Sequence, residues 1–135
     1  MITDVKNSLK TILSTIDDLE GVYNYEPGKE GIPSKLPACT MITLGADTEF
    51  DEKRAMNRIY NVIIKVYIKL VDAEDTQNDV DKFIDLVLDK LQDYPDLSES
   101  CEYFVITSIE VDYKTAIINP VAIVNYYLSI TEEVN

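Results

Sequence analysis

From Tyr60 to Leu70 the chain alternates without a break. Tyr60, Val62, Ile64, Val66, Ile68 and Leu70 take one side, and Asn61, Ile63, Lys65, Tyr67 and Lys69 take the other. A period of two places successive side chains on opposite faces of an extended backbone; a helix would scatter the same apolar residues around its circumference. A long strand is therefore imposed here, and it needs a sheet. Its first face is apolar throughout and belongs to a core. The second mixes apolar residues with two lysines, so it is expected to be half covered.

Other segments supply the neighbours. Tyr103, Val105, Thr107, Ile109, Val111 and Tyr113 alternate with Phe104, Ile106, Ser108, Glu110 and Asp112. Ala122, Val124, Tyr126, Leu128 and Ile130 alternate with Val121, Ile123, Asn125, Tyr127, Ser129 and Thr131. The connection from Lys114 to Pro120 is short enough for an antiparallel hairpin. It carries Ile117 and Ile118, bulky residues where a monomer favours polar ones. A further strand is expected over Ala38–Leu44, ended by Gly45, and a weak one over Val22–Glu26. Pro27, Gly28, Gly31, Pro33 and Pro37 make the residues between them a loop or extended edge. Residues 45–56 (GADTEFDEKRAM) are polar and acidic, which predicts a long hairpin arm or mobile loop. Its 47–56 portion is expected to order only against a neighbour, with Phe50 as an exposed aromatic.

Two segments carry the helical period instead. Ile2, Val5, Leu9, Ile12, Ile16 and Leu19 fall on one stripe, widened by Leu13. Thr3 or Asp4 is the expected cap and Gly21 the expected breaker. A second helix is expected from a cap at Asp72 to about Gln92, burying Val80, Phe83, Ile84, Val87 and Leu91, with Leu88 beside them. Glu74 and Asp75 sit where the helix dipole favours negative charge, and Tyr94 and Pro95 end the segment. The order of elements predicts an α+β domain: a mixed, mainly antiparallel sheet of four to five strands with two helices packed on one side. With 135 residues, 46% of them hydrophobic, one core spanning 1–135 is the expected organisation.

Charge removes several functions. Asp and Glu number 25 against 12 Lys and Arg, a net of -13. With only Arg54 and Arg58 as arginines and no basic cluster, the chain has little with which to neutralise phosphates. The same charge would be repelled by an anionic membrane. The N-terminal segment is too broken by charge for a signal sequence, and no apolar run reaches the roughly 20 residues that cross a bilayer. There is no histidine, hence no imidazole base and no histidine metal site. Cys39 and Cys101 lie too far apart in sequence for a metal-ligand pair and are expected to be reduced, buried thiols of a cytoplasmic product.

The dense ionisable feature is carboxylate. Asp81, Asp85, Asp89 and Asp93 recur every fourth residue and form a ladder along the second helix. They fall away from its apolar stripe, which predicts a solvated face: acids alike in environment, with neither the desolvated partner that acid–base catalysis needs nor a calcium loop. No glycine-rich phosphate loop is present, and Gly28-Lys29 lacks the rest of a phosphate-binding motif. No enzymatic activity, metal or cofactor is expected. Binding or assembly remains. Nine tyrosines, with Tyr126 and Tyr127 on opposite faces of the last strand, suit half-wet contact surfaces.

The whole layout resembles the tail terminator (tail completion) proteins of long-tailed bacteriophages. The likeness runs from about residue 2 to 131. It comprises an N-terminal helix, a proline-containing approach to the Pro37-Ala38-Cys39-Thr40-Met41-Ile42 strand, a charged arm, the long Arg58–Tyr67 strand, the helix after Asp72 and a closing pair of strands. The resemblance implies a ring, hexameric in that family, at the head-proximal end of the virion tail. Such a ring ends polymerisation of the tail tube protein, joins the head–tail connector protein and lets DNA pass through an electronegative channel without specific binding. The protein would be made in the host cytoplasm. Interface candidates are the 47–58 arm with Phe50, Arg54 and Arg58, the hairpin pair Ile117 and Ile118, and Tyr127. The lumen or acidic-surface candidates are Asp81, Asp85, Asp89 and Asp93. Head-completion or neck ring proteins of phages, and a small cytoplasmic regulatory dimer, are the alternatives that fit the same composition.

Overall fold

In the computed structural model, residues 1–27, 31–50 and 56–134 are described. They form an α+β fold with two helices and a five-stranded, mainly antiparallel sheet. The elements are α1 (Ile2–Leu13), β1 (Gly21–Tyr23), β2 (Ala38–Phe50), β3 (Met56–Lys69), α2 (Ala73–Gln92), β4 (Tyr103–Lys114) and β5 (Val121–Val134). The strand order is β1-β2-β3-β5-β4, with β1 parallel to β2 and every other pair antiparallel. The central position of β3 follows from its composition, since it is the strand with most apolar surface to bury on both faces.

Both helices lie on one face. Val5, Leu9, Ile12 and Leu13 of α1 and Val80, Phe83, Val87 and Leu91 of α2 share one core with Tyr60, Val62, Ile64, Val66 and Ile68 of β3 and Ala122 to Ile130, every second residue, of β5. Tyr126 is fully buried there, and its hydroxyl donates to the Phe83 carbonyl at 2.8 Å, tying sheet to helix. Asp72 caps α2 as expected, its side chain accepting from the Asp75 N–H at 2.8 Å. Ile84 and Leu88 flank the buried stripe and stay half-buried.

Several boundaries differ from the sequence expectation. The first helix stops at Leu13. The Ser14 and Thr15 hydroxyls bond back to the carbonyls of Lys10 and Ile12, and backbone bonds tighten to Thr15–Ile12 and Ile16–Leu13. Side chains that compete for the backbone in this way end helices. Ile16 still reaches the core from the turn, and Leu19 packs against it. Neither Thr3 nor Asp4 caps α1: both lie inside its first turn, where Val5 donates to the Met1 carbonyl. Gly21 breaks no helix and opens β1, which is shorter than the 22–26 expected.

Gly45 does not end β2. The register shifts between Thr43 and Gly45, leaving Leu44 as a bulge, and pairing with β3 resumes from Gly45↔Asn61 to Phe50↔Met56. A strand glycine marking a bulge is a known use of its missing side chain. Of residues 45–56, expected to be a long hairpin arm or a mobile loop, 45–50 and Met56 form the hairpin arm and are paired within the chain, so 47–50 need no neighbour to order; 51–55 lie outside the described residues. A second bulge sits in β4. Ile106 pairs with Leu128 and Ser108 with Tyr127, so Thr107 is the extra residue. It changes the phase of the strand. Phe104 and Ile106 face the helices before it, Ile109 and Val111 after it. The uninterrupted alternation over 103–113 expected above is thus broken once.

Candidate functional site: arm, hairpin tip and acidic helix face

Strand length and helix length do not match, and this produces the first surface. The helix-side core ends at the rung of Tyr60 and Ile130. Past it, β2, β3 and β5 continue together through Thr48↔Arg58↔Glu132 and Phe50↔Met56↔Val134. Among the described residues, none of this three-stranded arm belongs to the helix-side core. Phe50 is 67% exposed at its end, and Leu44 stands out from the bulge at its root. Arg58 is half-buried beside Glu132. Arg54 lies outside the described residues.

Glu132 is the hub where arm meets α1. It accepts from the Met1 amine at 3.0 Å and from the Tyr60 hydroxyl at 3.1 Å. Burial pushes its carboxyl up, but those hydrogen bonds, with the charges of the amine and Arg58, outweigh burial and hold it below the usual range. The sequence pattern contains no sign of this role, because partners so distant along the chain meet only after folding.

The second surface is the β4–β5 connection. The expected exposed pair is split. Ile118 is 97% exposed, whereas Ile117 is half-buried against Tyr67, Val121 and Ile123 on the sheet face away from the helices. Ile32 and Leu36 of the proline-rich loop pack onto the same three residues. The chain thus covers that end of its open face itself, and Lys65 is drawn to Glu26 at 3.8 Å. Farther along, the open face carries buried Ile63 between half-buried Ile42 and Tyr127, and then Val105 and Tyr103, which are about half exposed. Tyr127 is half-buried there, opposite Ile63.

The third surface is the outer face of α2. Asp81, Asp85, Asp89 and Asp93 are all exposed, as the apolar stripe required. Asp81 accepts from the Gln77 side chain at 3.1 Å. Lys82 leaves the ladder to pair with Asp18 and lies over the Phe83 ring, 5.7 Å from its centroid. Asp75 titrates above the ordinary range because of its hydrogen bond and repulsion with Asp72.

Hollows open on the surface among the described residues. One, of about 340 Å³, is mostly apolar and lies between the start of α2 and Tyr113, lined by Leu70, Val71 and Ala73. Another, of about 510 Å³, lies between the start of α1, the turn before β4 and the end of β5, where Asp4, Glu99, Glu102, Glu132 and Glu133 gather. Ser98 and Glu99 line its wall, and with Leu97 they form three consecutive left-handed backbones. Such residues cost energy, and burial of Leu97, with the Asp96 side chain accepting from the Glu99 N–H, holds them in place.

Cys39 and Cys101 are free and buried. Burial pushes the Cys39 thiol up to about 12 and the Cys101 thiol up to about 11, the latter helped by Asp96 and Glu102. Neither is a nucleophile at neutral pH. Among the described residues, no three His, Cys, Asp or Glu side chains are arranged to hold a metal ion, and no helix is long and apolar enough to cross a membrane. No protein-family model and no curated protein sequence matches the chain.

Proposed function

We propose that this chain assembles with copies of itself into a ring, and that the ring caps the tube of a phage tail, ends its growth and joins it to the head connector while DNA passes through. The observation that carries the reading is the mismatch between sheet and helices: the arm beyond Tyr60 and Ile130 ends in exposed Phe50, with Leu44 exposed at its root, and the open face leaves Tyr103 and Val105 about half exposed. Half-exposed tyrosine and aliphatic side chains at such places suit contacts between subunits. The Asp81–Asp93 ladder faces away from both and is free to line an opening, where negative charge keeps DNA from sticking. Joining the tube, and so a place at the head-proximal end of a virion tail, rests on the resemblance alone. No step in this function is catalytic.

Mass measurement by light scattering across a concentration series, with negative-stain imaging of the largest species, tests the reading. Rings of about six copies that shorten tubes when added to polymerising tail tube protein are the expected result. A strict monomer at every concentration would overturn it. Rings that bind only the connector would favour the neck-protein alternative.

A further inference from the structure

We propose that the lysine-rimmed tip of the β4–β5 connection is the docking surface for a second copy, whose acidic hollow it enters; this deepens the self-assembly reading and rests on it. Lys69 and Lys114 both pair in register with Val121, so they lie on one rung, on the same face, either side of it. Neighbouring strands are about 4.8 Å apart, which places their Cα atoms roughly 10 Å from each other. Both are exposed, and among the described residues neither has a carboxylate within ion-pair distance. Asp112, the acid nearest along β4, is occupied by the Asn125 amide at 3.1 Å. Lys35 is exposed beside Leu36, which packs on the same patch. Beyond the rung, Ile118 projects from the tip at 97% exposure. The surface is thus an exposed apolar residue flanked by lysines.

A second copy is the occupant that charge selects. At a net charge of -13, random contacts between copies are repulsive, and a cluster of unpaired lysines is where approach becomes favourable. The concave acidic hollow lies at the other end of the same strand: β5 begins at Val121 on the lysine rung and reaches Glu132 and Glu133 in the hollow. At about 3.4 Å per residue the two ends lie some 40 Å apart, so they cannot meet within one copy. A contact between two different patches is heterologous: it leaves one of each patch open and either closes into a ring or continues as a filament.

Sedimentation velocity on the full chain tests this, at low salt and at 0.5 M salt. Wild-type association should weaken at high salt. Lys69→Glu with Lys114→Glu should weaken self-association at least about tenfold while the unfolding midpoint holds. Glu102→Lys with Glu133→Lys should do the same from the other side. An equimolar mixture of the two double variants should associate again, because each reversed end now meets an opposite charge. Ile118→Ser, a change at a solvated side chain, keeps the test readable should a charge reversal disturb the fold, and it too should weaken association. A folded lysine variant that assembles like wild type, or a mixture that stays apart, would overturn the docking surface and leave self-assembly standing. A wild-type chain that never associates would remove both.

Discussion

Deleting Thr107 should be tolerated, although removing one residue from the middle of a strand normally turns every later side chain to the wrong face. Thr107 is the unpaired residue of the β4 bulge, between Ile106↔Leu128 and Ser108↔Tyr127. Without it, the strand runs Ile106, Ser108, Ile109 in plain alternation, and Ile109 and Val111 still face the helices. What is lost is one hydrogen bond, from the Thr107 hydroxyl to the Tyr127 carbonyl at 3.2 Å, exposed and worth about 1 kcal/mol or less. Deleting Glu110 has the opposite consequence. Beyond it, Val111 turns to solvent and Asp112 turns toward the helix side. Withdrawing half-buried Val111 costs about 1 kcal/mol. Pressing an unpaired carboxylate against an apolar layer costs several more, about 2–5 kcal/mol. Urea unfolding followed by circular dichroism measures both variants. The deletion at 107 should shift stability by no more than about 1.5 kcal/mol, and the deletion at 110 by about 3 kcal/mol or more. Equal and severe losses would refute the claim that the bulge is a phase correction.

Three further outcomes follow from the same geometry. Tyr126→Phe keeps the ring and loses only the bond to the Phe83 carbonyl, so it should cost about 1 kcal/mol, against about 3–5 kcal/mol for Tyr126→Ala, read from urea midpoints. The Cys39 and Cys101 thiols hold their protons more tightly folded than unfolded, so their stabilisation is complete below about pH 9 and is lost as pH rises toward about 12 and about 11 respectively. Stability should therefore fall as pH rises from about 9 to about 11, and Cys39→Ala should lessen the fall; an unchanged slope would refute the assignment. Asp85→Asn with Asp89→Asn should leave the thermal midpoint level or slightly raised through relief of repulsion along α2, and a marked loss would show that those exposed carboxylates have partners.

Element type was legible wherever one face of a segment had to be buried. The alternation of β3 and β5 and the stripe of α2 appear in the sequence because each residue's burial there depends on its own element's axis. The Asp81–Asp93 ladder was legible for the same reason: it is the complement of a buried stripe. The misplaced features are those that apolar spacing does not encode: a local competition for backbone groups, or an agreement between two elements. The end of α1 at Leu13 depends on hydroxyls turning back onto carbonyls, a choice that the apolar spacing of Ile16 and Leu19 conceals. The extension of β2 through Gly45 depends on β3 offering partners out to Met56.

What the sequence alone determined is the sheet with helices on one side, the acidic outer face of α2 and the missing chemistry of histidine, because composition and period act within one segment. Tertiary structure decided which face Ile117 takes, where the β4 phase changes, that Lys69 and Lys114 share a rung, and that five carboxylates meet in one hollow. Those outcomes rest on register between strands distant along the chain. Register is set by how whole faces pack against one another, and no single segment's pattern contains it.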